Sequence, residues 1–187
     1  SEKRIYEITT KGGSSDRLIA FHEMIEETWT RIEKLSENTG ELRGVPSGFK
    51  DLDNKLSGFQ KSDLIILAAR PSVGKTSLAL DFARNAAVKY GIPTAIFSLE
   101  MSKEQLVDRM LSAQSQVDGW KLRTSRLSLD EEFARLQQGM HELMKAPIYV
   151  DDKAANSIPN MRSTLRRLTS DKLIGLIIVD YLQRVGK

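Results

Sequence analysis

The 187-residue sequence contains no cysteine, which excludes a disulfide scaffold, thiolate catalysis and cysteine-ligated zinc together. Histidine is nearly as scarce. His22 and His141 are too few and too far apart for a histidine-based metal site. The longest uninterrupted apolar run is Leu64–Ala69, far short of the roughly 18 residues a membrane-spanning helix needs. No basic stretch followed by an apolar one opens the chain as an export signal would. These absences predict an intracellular protein with no membrane role. Apolar residues make up 40% and charged residues 28%, a balance that belongs to a folded globular chain rather than a disordered one. The length suits one ordinary domain with a short appendage. The net charge of +3 says little, although Lys153–Lys187 is distinctly basic. Such an end suits nucleic acid or a phosphate-bearing partner, but a solvated helix face is the simpler reading.

What is present falls into an ordered series of patterns. Residues 1–13, ending in Lys11-Gly12-Gly13, have no apolar period and read as a loose tail or linker. Leu18, Phe21, Ile25, Trp29, Ile32 and Leu35 then recur every three or four positions, which predicts an amphipathic helix over Asp16–Glu37. Ser14 or Ser15 supplies the N-cap, and Gly40 the stop, so that 14–38 forms one segment. Its stripe has to be buried on its own domain or on a neighbouring subunit, and periodicity alone favours the first. Turn residues fill Gly44–Gly58, after which strands and helices alternate. Strands are predicted at Leu64–Ala69, Thr94–Leu99, Ile148–Val150 and Leu173–Val179. The intervening helices are Thr76–Tyr90, one opened by a Ser102/Gln105 capping box and running to about Ala113, one opened by Ser128/Glu131 and carrying Phe133, Leu136, Met140 and Leu143, and Pro159–Ser170. This alternation predicts a doubly wound α/β fold with a mostly parallel sheet. It breaks off shortly after Val179, so the core over 44–187 reads as incomplete.

Three places carry chemistry. Ala69-Arg70-Pro71-Ser72-Val73-Gly74-Lys75-Thr76 lies between a buried strand and a helix and fits the phosphate-loop pattern except at its first position, where alanine replaces glycine. Gly74 lets backbone N–H groups turn towards a β-phosphate, where a side chain is expected to collide. The helix that follows presents its positive end to the same anion. Lys75 reaches the β- and γ-phosphates, Thr76 offers a hydroxyl to Mg²⁺, and Ser77 completes the phosphate-binding set. Asp180 ends the apolar strand at the carboxyl edge of the sheet, where it either supports Mg²⁺ or merely caps a turn; the loop upstream favours the metal. Glu100 ends another strand at the same edge. It reads as the carboxylate that activates water, against the alternative of stabilising the helix after Ser102. Gln183 is a further polar group near the γ-phosphate position.

Taken together, the phosphate loop, Phe97-Ser98-Leu99-Glu100-Met101-Ser102 and Val179-Asp180-Tyr181-Leu182-Gln183 resemble the motifs of replicative DNA helicases of the DnaB type. Gly44–Phe49, Leu52-Asp53 and Leu56–Phe59 resemble that family's approach to its motor, and the likeness runs from about Gly44 to Gln183. The family often carries alanine where Ala69 stands. The resemblance implies a RecA-like P-loop core, preceded by an amphipathic linker helix, in a homohexameric ring that hydrolyses ATP or another NTP with Mg²⁺. Such a ring translocates on single-stranded DNA and unwinds duplex in the bacterial cytoplasm, encoded by bacterium or phage. It further implies that Lys75 and Thr76 hold phosphates and metal, Asp180 supports the metal, Glu100 activates water and Gln183 senses the γ-phosphate. It also moves the expected berth of the linker helix to the adjacent subunit, and names primase and a helicase loader as further partners.

The family's N-terminal domain is absent from these residues, and its DNA-binding loops and arginine finger are expected past Lys187. This chain alone is therefore expected not to unwind DNA. Two rival classes share parts of the pattern: a RecA-like recombination or clock-type ATPase, and a nucleotide-gated assembly module that never turns over. Ser98-Leu99-Glu100-Met101 and Asp180–Gln183 favour the helicases.

Overall fold

Thr94–Ser98 form β1, a strand buried at every position. A strand covered on both faces needs apolar or small residues throughout, and Thr-Ala-Ile-Phe-Ser provides them. The computed structural model describes residues 20–37, 42–124, 130–153, 156–171 and 173–181, divided between two units, Ser1–Glu41 and Leu42–Lys187. In the first, α1 (Phe21–Glu37) carries exposed Phe21, Met24, Ile25, Trp29 and Ile32. Trp29 Nε1 donates to Glu33 one turn on at 2.8 Å. The expected helix start at Asp16 and its serine caps lie outside the described residues.

The second unit contains α2 (Lys50–Leu56), α3 (Lys75–Arg84) with a π-helical continuation over Asn85–Lys89, β1, α4 (Lys103–Ser115), α5 (Gly119–Thr124), α6 (Asp130–Lys145), β2 (Ile148–Asp151), α7 (Ile158–Asp171) and β3 (Leu176–Asp180). The sheet order is β2-β1-β3 with both pairings parallel. Parallel neighbours need crossovers, and the helices supply them. Alternate β1 side chains feed separate cores. Ile96 packs with Leu80 and Ala83 of α3 and Leu106 and Met110 of α4. Phe97 packs with Leu99 and with Met161 of α7. Helices thus cover both faces, as in a doubly wound domain.

A strap ahead of the sheet closes on α3. Val45 and Phe59 exchange both backbone bonds at 2.8 Å. This bridge brings Gly44 and Gly58 so close that a Cβ on Gly44 would lie 2.3 Å from the Phe59 carbonyl oxygen. Phe82 of α3 meets Phe49 and Phe59 edge-to-face at 5.7 and 5.2 Å, and buried Asn85 donates to Ser47 O at 3.1 Å.

Several expectations need correction. Residues 64–69 do not form a strand: Leu64 is 83% and Ile66 70% exposed. A strand needs a partner's backbone. Here Ile65–Ala69 and Leu176–Tyr181 instead line a cleft of about 310 Å³, leaving Ile177 of β3 exposed as well. β3 is correspondingly shorter than expected, starting at Leu176 rather than Leu173. On α6 the buried residues are Glu132, Leu136 and Gly139, whereas Phe133 and Met140 are exposed. Two specific contacts turn that helix: Gly139 lies against Ser115 of α4, and Glu132 takes a 2.6 Å ion pair from Lys121. The Ser128 cap lies outside the described residues. The short helices α2 and α5 were not legible in the sequence.

Candidate nucleotide-binding site

The loop 69–74 leads into α3 with Ser72 and Gly74 in the left-handed region, at φ 64° and 97°. Gly74 is the N-cap, and its φ is the reason for glycine there, since an L-residue strains at that angle. A Cβ at Gly74 would meet no atom within 4 Å, so the expected collision is not with the protein itself. The space over the loop is open to a ligand. Ala69, Arg70, Pro71, Ser72 and Val73 are exposed. Ser77 is exposed too, and its hydroxyl accepts from Arg109 Nη1 at 3.3 Å.

Two of the predicted residues converge on a third. Asp180, buried at the end of β3, takes a 2.6 Å hydrogen bond from Thr76 Oγ1 on Oδ2 and a 3.2 Å ion pair from Lys75 Nζ on Oδ1. Thr76 and Asp180 are 104 positions apart in sequence, so only the sheet and α3 bring them together. The Lys75 ammonium also lies 4.4 Å from the centroid of the Tyr181 ring, a cation–π arrangement. Tyr181 was missed as a site residue; its place directly after Asp180 was the only available signal. The Asp180–Tyr181 peptide is cis.

Register brings Glu100 to the same edge. Ser98 is the partner of Asp180 across the β1–β3 ladder, and Leu99 N–H donates to Asp180 O at 2.8 Å. Glu100 follows immediately and is exposed. The capping box expected after it is formed: Ser102 Oγ accepts from Gln105 N at 3.5 Å and Gln105 Oε1 from Ser102 N at 3.3 Å. Gln183 lies outside the described residues.

The donor set can be tested against Mg²⁺. Among the described residues no three His, Asp or Glu side chains cluster as an all-protein cage. A hydroxyl and a carboxylate oxygen 2.6 Å apart beside an open phosphate loop suit Mg²⁺, which takes few protein ligands and fills its octahedron with phosphate oxygens and water. The residues fit the ion.

A glycine loop in the left-handed region that opens a helix, with a strand-end aspartate opposite, is the arrangement of a phosphate-loop nucleotide-binding domain, and the likenesses below make it a RecA-like ATPase core. Solved structures agree: the chain overlays the "ATPase Domain of G40P" with a TM-score of 0.79 at 28% identity, covering 87% of this chain and 58% of that one. It also overlays a DnaB-like replicative helicase, described with its interactions with primase, with a TM-score of 0.78 at 27% identity, covering 98% and 43%. Residues 44–187 match the family described as DnaB-like helicase C terminal domain, and the chain belongs to that family. It is 45% identical over 163 residues to the replicative DNA helicase DnaB of Geobacillus stearothermophilus, covering 87% of this chain and 36% of that protein. Against the replicative DNA helicase DnaC of Bacillus subtilis it is 41% identical over 188 residues, covering 99% and 40%. The chain thus spans about two fifths of the length of these curated relatives.

Proposed function

We propose that this chain is the nucleotide-hydrolysing part of a ring-shaped replicative DNA helicase, which couples ATP or another NTP to translocation on single-stranded DNA and duplex unwinding. The observation that carries the reading is the joint hold of Lys75 and Thr76 on Asp180, with Glu100 two residues beyond the rung that Asp180 shares with β1. The loop 69–74, with Ser77, receives the phosphates on backbone N–H groups and the positive end of α3. Lys75 is held by Asp180 and Tyr181; nucleotide binding draws its ammonium to the β- and γ-phosphates. Thr76 and Asp180 would hold Mg²⁺, which would supply neutralisation of the phosphate charge. Glu100 takes a proton from the attacking water as its oxygen bonds to the γ-phosphorus and the bond to the leaving diphosphate breaks. Gln183 is assigned the γ-phosphate sensor by family pattern.

The family supports the remaining assignments: residues 14–38 as a linker helix, 44–187 as the motor core, and a homohexamer in which the linker helix docks on the next subunit. The exposed apolar face of α1 suits such a berth. A helicase loader and primase are proposed partners, the latter because a structural neighbour is described with primase. Among the described residues no helix is long and apolar enough to cross a membrane, and the proposed place of action is the bacterial cytoplasm.

The test is Glu100→Gln in the complete natural protein carrying this sequence. It should bind nucleotide normally and lose DNA-stimulated hydrolysis and strand separation by about 10²–10³-fold. A wild-type protein that assembles on DNA without any turnover would instead favour a nucleotide-gated assembly module. Filament formation without unwinding would favour a recombination-type ATPase.

A further inference from the structure

β1 ends on a side chain to which the proposed chemistry gives no task. Ser98 is 1% exposed, so its hydroxyl must find its partners inside the protein. Both come from one residue: Oγ donates to Met101 O at 2.8 Å and accepts from Met101 N–H at 3.1 Å. The turn closed by these two bonds encloses only Leu99 and Glu100. On the upstream side, Leu99 is fixed by its N–H bond to Asp180 O and by packing in the Phe97–Met161 core. On the downstream side, the Ser102–Gln105 box fixes the start of α4, and Lys103 N–H donates to Asp152 at 3.0 Å.

Glu100 is therefore an exposed side chain on a backbone whose every neighbour is tied down. Ser98 is also the ladder partner of Asp180, so the brace of one carboxylate and the seat of the other share a rung of the sheet. Alanine at this position would fill nearly the same space but leave Met101 N–H and C=O without their side-chain partner.

We propose that Ser98 is a positioning residue: its hydroxyl clamps the Ser98–Met101 turn and thereby aims Glu100 at the water that attacks the γ-phosphate. The proposal rests on the reading of Glu100 given above. It separates aim from binding, because the two bonds of Ser98 Oγ go to Met101 and not to the loop 69–74, Lys75 or Thr76.

The test is a double-mutant cycle on the complete natural protein, measuring steady-state ATP hydrolysis with Mg²⁺ and the affinity for a non-hydrolysable ATP analogue. Ser98→Ala should lower kcat by about tenfold or more, as small misplacements of catalytic groups do, with KM and analogue affinity unchanged within about twofold. In the Glu100→Gln background, Ser98→Ala should lower the residual turnover no further, because the group it aims is gone. Unchanged kcat in Ser98→Ala overturns the proposal while leaving Glu100 in its role. An undiminished effect of Ser98→Ala in the Glu100→Gln background also overturns it. Loss of folding or of analogue binding in Ser98→Ala overturns it as well, since the hydroxyl would then serve the fold. Wild-type turnover in Glu100→Gln alone removes the underlying reading, an outcome distinct from the others.

Discussion

Replacing Asp180 by asparagine changes one charge and almost no shape, and its effect should reverse sign with Mg²⁺. The carboxylate holds Lys75 at 3.2 Å. Two unit charges that far apart at an effective dielectric near 20 attract by roughly 5 kcal/mol. Side-chain exposures of 28% for Lys75 and 10% for Asp180 admit solvent to the pair, and screening leaves on the order of 1 kcal/mol. In Asp180→Asn that hold disappears, and so does the repulsion between the carboxylate and an incoming γ-phosphate. Without Mg²⁺ the variant should therefore bind ATP about fivefold more tightly than the wild type, the equivalent of about 1 kcal/mol. With Mg²⁺ its turnover should fall by about a hundredfold or more, because the ion loses its carboxylate. Thr76 can still donate to the asparagine oxygen, so the melting temperature should fall only by the roughly 2–4 °C that the lost ion pair represents. The assay is equilibrium titration of a fluorescent ATP analogue in EDTA and in Mg²⁺, alongside steady-state hydrolysis. Weaker Mg²⁺-free binding, or wild-type turnover, would refute the geometry inferred for Asp180.

Leu106→Ala removes a side chain that is 1% exposed and packed against Leu80, Ala83, Ile96 and Met110; it should cost about 2–5 kcal/mol by urea unfolding, and a loss near zero would contradict the core described. Asp53→Ala frees the buried N–H of Ser47 and that of Gly48, which the carboxylate holds at 2.8 and 3.2 Å. About 2 kcal/mol of stability should go with them, read by the same unfolding curve. Stability should also decline in acid. Hydrogen bonds from Gln138 and Gln114 hold the Glu142 carboxyl below its ordinary value of 4.5, and the backbone N–H of Glu104 with the Ser102 hydroxyl does the same for Glu104. Carboxyls depressed in the folded state stabilise it above their unfolded pKa, and that contribution is lost as pH falls through the folded one. The urea midpoint should therefore drop below about pH 4.5, and Glu142→Gln should flatten part of that slope.

Much of the site was legible in the sequence because its chemistry is local. The loop 69–76 is contiguous, and the strand-ending positions of Glu100 and Asp180 follow from apolar runs that stop on an acid. The Ser102–Gln105 box was readable because a cap is written in residues three apart. Features set by distant partners were not legible. The apolar run 64–69 has strand composition, but pairing is decided by what lies beside it, and here that is a cleft shared with β3. The face of α6 is set by Gly139 against Ser115 and by Glu132 against Lys121, contacts invisible to a hydrophobic period, which leave Phe133 and Met140 exposed. Tyr181 beside Lys75 and Ser98 on Met101 are tertiary facts of the same kind.

The account stands on two acids from adjacent strands meeting one triphosphate, and a crystal structure of the complete protein with a non-hydrolysable ATP analogue and Mg²⁺ tests that most directly. It should show Lys75 shifted from Asp180 onto the β- and γ-phosphates, the ion between Thr76 and Asp180, and a water about 3 Å from Glu100 in line with the γ-phosphorus. A triphosphate seated elsewhere, or a Glu100 carboxylate directed away from the γ-phosphate with no water between them, would contradict it.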